Sequence, residues 1–191
     1  MKVLLVSEGN HELGGALETL VGRLKPREAM YESKKVSDRE LRVHAGKGPG
    51  YFKKALRCVL YAEEHKFDAV ILLIDQDNDP SRRRQIADAQ VHVSLTELPR
   101  ALGVAVRTFD AWMLADEKAL MTVLGVPVQR QPDPESIKDP KQVCQGHHDG
   151  SEFGEGLTAM YAAVAAAADL QVMVDRCPHG FAPFANRVRS V

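Results

Sequence analysis

The sequence predicts an α/β fold: a Rossmann-like three-layer domain on a mainly parallel sheet, with a C-terminal helical extension. Three observations carry this expectation. Lys2–Val6 is a short β-forming run that meets a turn and then an amphipathic helix, the opening of an α/β unit. Ala69–Ile74 is apolar at every position, as befits a parallel strand covered by helices on both faces. Helix-patterned segments alternate with such runs, giving the order β-α-β-α-β-α-β-α.

Each element follows from local pattern. After the first strand, Ser7-Glu8-Gly9-Asn10 is turn-like, and Leu13, Leu17, Leu20, Val21 and Leu24 stand at helical spacing. Residues 25–39 are polar and poorly patterned, so the second strand is expected at Leu41–His44, ahead of a Gly-rich loop over 45–50. Tyr51–Glu64 reads as a helix with Phe52, Ala55, Leu56, Val59 and Leu60 on one face. Asp75-Gln76-Asp77-Asn78-Asp79-Pro80 ends the Ala69–Ile74 strand abruptly, and Ser81 is placed to cap a helix running to about Val91. Val104–Val106 is a further strand, and Asp110–Leu124 a helix that Gly125 can end. Residues 127–156, rich in Pro, Gly and charge, read as a surface excursion or lid. Leu157–Leu170 is an alanine-rich helix, and Cys177–Val191 a last one anchored by Phe181, Phe184 and Val188. Residues 1–126 thus form the α/β domain, and 127–191 a loop-rich and helical extension packed on it.

Composition narrows the function. The 191 residues are 45% hydrophobic and 27% charged, ordinary for a folded soluble chain. No apolar run approaches the roughly 20 residues that span a bilayer, and the N-terminus lacks a signal-peptide pattern, so a cytoplasmic protein without a membrane is expected. Cys58, Cys144 and Cys177 are widely spaced with no CxxC, which indicates spare thiols in a reducing compartment. A net charge of −1 argues against coating nucleic acid by charge alone, while leaving local patches such as Arg82-Arg83-Arg84 available.

The chemistry concentrates in acids at strand ends. Glu8 follows the first strand and Glu12 lies one helical turn on. Asp75 and Asp77 follow the apolar strand; in extended geometry both face the same side. If the two strands are neighbours, Glu8, Asp75 and Asp77 converge in one crevice. Crowded carboxylates repel one another, and a divalent cation relieves that cost. Hard oxygen donors suit Mg²⁺ or Mn²⁺ rather than zinc. Alternatively, an Asp after a buried strand serves only as a turn residue or helix cap.

Other readings of Asp75–Asp79 fail. An EF-hand needs Gly at its sixth position and Glu at its twelfth, where this chain has Pro80 and Ile86. A haloacid dehalogenase-type phosphatase would carry its DxD on the first strand. Gly9, Gly14 and Gly15 do not make a dinucleotide fingerprint, and neither a Walker A loop nor a GxSxG elbow is present.

Strand–Glu8-Gly9-x-x-Glu12–helix followed by strand–Asp75-x-Asp77 resembles the Toprim fold of topoisomerases, bacterial primases and OLD-type nucleases. The chain is most similar to small Toprim-like prokaryotic proteins, through Phe109–Asp116, Asp139-Pro140-Lys141 and the tail Arg176–Phe184 as well. The resemblance implies acid–base work or metal binding for Glu8, and Mg²⁺ binding for Asp75 and Asp77. It implies a further ligand in Glu12, by likeness to OLD nucleases. Asp110 stands where that subgroup has Glu, as an added ligand or simply as a helix cap. Such relatives often work beside an ABC- or SMC-like ATPase in anti-phage defence; here that ATPase would be a separate protein.

Lys47, Arg82, Arg83, Arg84 and Lys141 are candidate phosphate contacts, against the plainer reading of an Arg run as a solvated helix face. Trp112 is expected in the core, and His147-His148-Asp149 in a solvated loop. The expectation is therefore a Mg²⁺- or Mn²⁺-dependent nuclease or phosphodiesterase acting on nucleic acid. The alternative is a weakly active subunit that depends on the ATPase. A homo-oligomer is compatible with either.

Overall fold

The computed structural model describes residues 1–26, 28–43, 48–92 and 97–191. Four parallel strands form one sheet in the order β2-β1-β3-β4, with β1 Lys2–Ser7, β2 Met30–Lys35, β3 Ala69–Asp75 and β4 Arg100–Ala105. The fold is α/β, Rossmann-like and three-layered. Alternation along the strands divides the core. Val3, Leu5, Ile71, Leu73, Ala101 and Ala105 face one helical layer, and Leu4, Val6, Leu72, Ile74, Leu102 and Val104 face the other.

The first layer holds α1 (Leu17–Leu24), α5 (Asp110–Met113), α6 (Glu117–Leu124), α8 (Leu157–Ala167), α9 (Leu170–Arg176) and α10 (Phe181–Ser190). The second holds α2 (Arg39–Arg42), α3 (Gly50–Glu64) and α4 (Ser81–Gln90). Helices from residues 157–191 thus share one core with β1 and β3. No single helix among the described residues is long and apolar enough to cross a membrane.

Several elements depart from the sequence expectation. The second strand is Met30–Lys35, not Leu41–His44: Leu41 is buried in α2, and His44 lies outside the described residues. β2 is an edge strand whose residues are half-buried or exposed, so it lacks the apolar signal, and its ladder to β1 holds it. β4 starts at Arg100, ahead of the expected Val104, because a small-residue stretch pairs with β3. Gly103 is small for a reason: a Cβ there would stand 2.5 Å from Cδ2 of Phe184 on α10.

The first expected helix is broken. A π-helical turn at Glu12–Ala16 precedes α1, and Gly15 takes φ +109°, a conformation glycine tolerates and other residues resist. Asp110–Leu124 divides into α5 and α6 because Asp116 caps α6, accepting from the Lys118 and Ala119 N–H groups at 3.0 and 3.2 Å. At α4 the N-cap position is Pro80, not Ser81, and Asp79 just before it accepts at Oδ1 from Ser81 N and Oγ at 3.0 and 2.6 Å. The expected lid is structured: α7 spans Pro140–Asp149, capped by Asp139 and anchored by buried Cys144. The Leu157–Leu170 helix ends at Ala167, and Asp169 caps α9.

Gly103→Ala should push Phe184 away and loosen α10 from β4. The expected loss is about 1–3 kcal/mol, read as roughly 2–4 °C in Tm per kcal/mol. An unchanged melting curve would show that α10 moves without cost.

Candidate metal centre

Parallel pairing of β1 with β3 in the register Ser7↔Leu73 brings the two strand ends together. Glu8 therefore meets the Asp75 backbone directly: its Oε2 accepts from Asp75 N at 3.3 Å. Glu8 Oε1 accepts from the Tyr51 hydroxyl at 2.8 Å, and Lys54 Nζ stands 3.9 Å away.

Glu12, on the π-helical turn, is 5% exposed. Its carboxylate folds back over Gly9, where a Cβ would collide with Oε2; this is the physical reason for glycine after Glu8. Asp110 opens α5, almost fully buried, and its Oδ1 accepts from the Tyr161 hydroxyl of α8. Asp75 Oδ1 accepts from Phe109 N at 2.8 Å.

Electrostatics link these acids. Loss of solvation in the packing around Asp75 lifts its carboxyl from 3.8 to about 8. Repulsion from Glu12 is the next cause, with Asp110 and Asp77 adding to it, while the Phe109 N–H bond opposes the rise. Glu12 is likewise raised, first by burial, with Asp110 and Glu8 contributing and Lys141 opposing. Among the described residues no ion pair reaches the carboxylates of Glu12, Asp75 or Asp110.

Asp77 does not face the crevice as extended geometry would have it. It sits in the left-handed region at φ +50°, its N–H bonded to Arg107 O, and its Oδ2 meets Arg82 NH1 at 2.6 Å. The same guanidinium donates to Asp75 O at 2.7 Å, stands 3.6 Å from Glu8 Oε2, and lies 4.3 Å from the Tyr51 ring centre. Arg82 is thus an internal counter-ion whose guanidinium already bonds the Asp75 carbonyl and the Asp77 carboxylate.

The other basic candidates fare differently. Arg83 donates to His179 O at 3.3 Å, and Arg84 is largely exposed, 3.9 Å from Asp88. Lys141 lies exposed at the start of α7, close enough to influence Glu12. Lys47 lies outside the described residues. Trp112 is buried among Phe109, Phe181 and Phe184. His147 and His148 end α7 rather than occupying a loop, and His148 bonds locally to Asp149 and Glu155 O.

The donor set fits a hard divalent cation. Glu12, Asp75 and Asp110 offer only oxygen, lie close enough to repel one another, and form no ion pair among the described residues. As the side chains stand, no three acids among the described residues close on a single point. Glu8 and Asp77 are drawn instead towards Tyr51 and Arg82. Sequence reasoning missed Tyr51 and Tyr161, which hold Glu8 and Asp110; each pairing spans more than 40 residues and leaves no local signal. Comparison with protein-family models, curated proteins and solved structures finds no match to this chain.

Because Asp75 holds its proton more tightly folded than unfolded, its contribution to stability is complete below the unfolded pKa of 3.8. That contribution is lost as pH rises towards 8. Metal-free Asp75→Asn should therefore melt above the metal-free parent at pH 8, by at least about 4 °C. The gap should narrow towards pH 4, and Mn²⁺ should raise the parent's Tm more than the variant's. Equal Tm values at pH 8 would remove the assigned strain.

Proposed function

We propose that this chain is a divalent-metal-dependent phosphodiesterase that cuts nucleic acid. The observation that carries the reading is the cluster of Glu12, Asp75 and Asp110, the first and last buried and Asp75 half-buried, mutually repelling and without an ion pair among the described residues, at the carboxyl edge of a parallel sheet. Sites of α/β sheets lie at that edge. The Toprim resemblance assigns the same chemistry to Glu8, Asp75 and Asp77.

Glu12, Asp75 and Asp110 would hold Mg²⁺ or Mn²⁺, and the ion would polarise the phosphoryl oxygens as a Lewis acid. Glu8 is partly open to solvent, with its side chain 26% exposed. Tyr51 and Arg82 fix its direction, so it is placed to take a proton from the attacking water. Arg82 and Lys54 balance the charge that grows on the phosphoryl oxygens. Asp77 joins the metal only by giving up Arg82. Tyr161 donates to Asp110 and keeps that carboxylate turned inward.

A second reading draws on Arg82. Because it already binds Glu8 and Asp77, the resting site is partly closed by its own guanidinium. A separate ABC- or SMC-like ATPase that drew α4 away would open it. On this view the chain is a cytoplasmic subunit, weakly active alone.

Labelled single-stranded DNA, double-stranded DNA and RNA should be cut in Mn²⁺ or Mg²⁺ and not in EDTA. Asp75→Ala should abolish cutting, and Glu8→Gln should slow it by about 10²–10⁴-fold. Full activity in both Asp75→Ala and Asp77→Ala would sink the mechanism. An inactive parent that cuts once the ATPase is added would select the second reading.

A further inference from the structure

We infer that the substrate is a polynucleotide strand that crosses the whole carboxyl edge of the sheet, its phosphates held in two basic cavities flanking the acids. The inference rests on the phosphodiesterase reading and adds the route and the length of the substrate.

The first cavity, about 250 Å³, lies where β2 and β1 end. Arg42, Lys54 and Arg57 line it together with Glu8, which Lys54 approaches to 3.9 Å. The nearby acids are already engaged: Glu40 pairs with Lys34 at 2.5 Å, and Asp38 accepts from Lys35 N at 2.8 Å. Lys54 stands over the Tyr51 ring at 3.9 Å and at the same distance from Glu8 Oε1. The cavity therefore opens onto the carboxylate that heads the crevice.

The second cavity, about 330 Å³, lies between α4 and α10 at the outer edge of β4, beside Gly103 and Val104. Arg83, Arg84 and Arg187 line it, and among the described residues no acid does, although Asp88 lies 3.9 Å from Arg84. Arg83 and Arg187 each donate one terminal guanidinium N–H to a carbonyl, of His179 and Leu102, which orients their forks. Arg84 has a side chain 89% exposed and extends into solvent. Charge in this chain is segregated rather than scarce: a net −1 conceals two positive cavities on either side of a negative crevice.

The sheet order sets the line. The first cavity lies at β2 and β1, the acids at β1 and β3, and the second cavity at β4. Three strand spacings separate β2 from β4, about 14 Å. A nucleic acid strand carries one phosphate per roughly 3.4 Å of helix rise, so several phosphates cover that distance. A mononucleotide fills one cavity at most. Guanidinium forks match phosphate oxygens two at a time, which suits a chain of diesters.

The test is fluorescence anisotropy with labelled single-stranded DNA and RNA of about twelve nucleotides, on the full chain carrying Asp75→Asn so that the strand stays whole. Arg42→Glu and Arg84→Glu, both at exposed positions, probe one cavity each. Each should weaken binding at least about 10-fold and flatten the salt dependence by about 0.7 log units per lost phosphate contact. Arg42→Lys and Arg84→Lys should retain most of the affinity, and a mononucleotide should compete poorly. The inference is overturned if the strand does not bind, if either reversal binds like the parent, or if poly-glutamate of equal length competes as well as DNA. Cutting by the intact chain is scored separately. Metal-dependent cutting with unaffected reversals removes the track and leaves the enzyme. Weakened binding in both reversals without any cutting leaves the track and removes the enzyme.

Discussion

The parallel pairing of β1 with β3 is the constraint on which the rest depends. Both strands are apolar on both faces, so each must be covered twice, and the two helical layers follow from that need. The same pairing carries Glu8 to the Asp75 backbone, 67 residues away in sequence. Core and site are therefore one decision. A register slip between these strands would turn Leu5 and Val6 to the wrong layers and part the acids at once.

Having gathered its acids, the protein manages them unevenly. Arg82 neutralises the outer pair, Glu8 and Asp77, and reaches Asp79 more distantly. Of the inner three, Asp75 and Asp110 receive hydrogen bonds, and none of Glu12, Asp75 and Asp110 has an ion pair among the described residues. Burial without a counter-charge is costly, and a folded protein keeps such a group where its chemistry is used. The asymmetry separates an inner group of acids without an ion pair from an outer one already neutralised; under the proposed function the inner group would take the metal and the outer the substrate.

Much of this was legible in the sequence because the informative residues are local. The apolar run at Ala69–Ile74, the glycine beside Glu8 and the acids at strand ends are read within a few residues of one another. The illegible part has physical causes. β2 is polar because it is an edge, so hydropathy passes over it. The direction of Asp77 depends on a left-handed backbone that sequence does not announce. Arg82 looked like a ligand contact because its three acidic neighbours come from two separate loops. Tyr51, Tyr161, Arg42, Lys54 and Arg57 acquire roles only when α2, α3 and α8 have docked.

The seating of α8 against the π-helical turn bears on the order in which the molecule is built. Gly14 lies under Thr158, His11 bonds the Thr158 hydroxyl, and Tyr161 reaches Asp110. Every one of these contacts joins an earlier residue to α8, across 51 residues in the shortest case and 147 in the longest. A chain made only through β4 holds Glu8, Glu12, Asp75 and Asp77 but not Asp110, and Asp110, once made, is turned inward only when Tyr161 arrives. The nascent chain thus holds its reactive groups apart, and closing the longest loops in the fold is what completes the site. The acids at the strand ends therefore take their final arrangement only once α8 has docked.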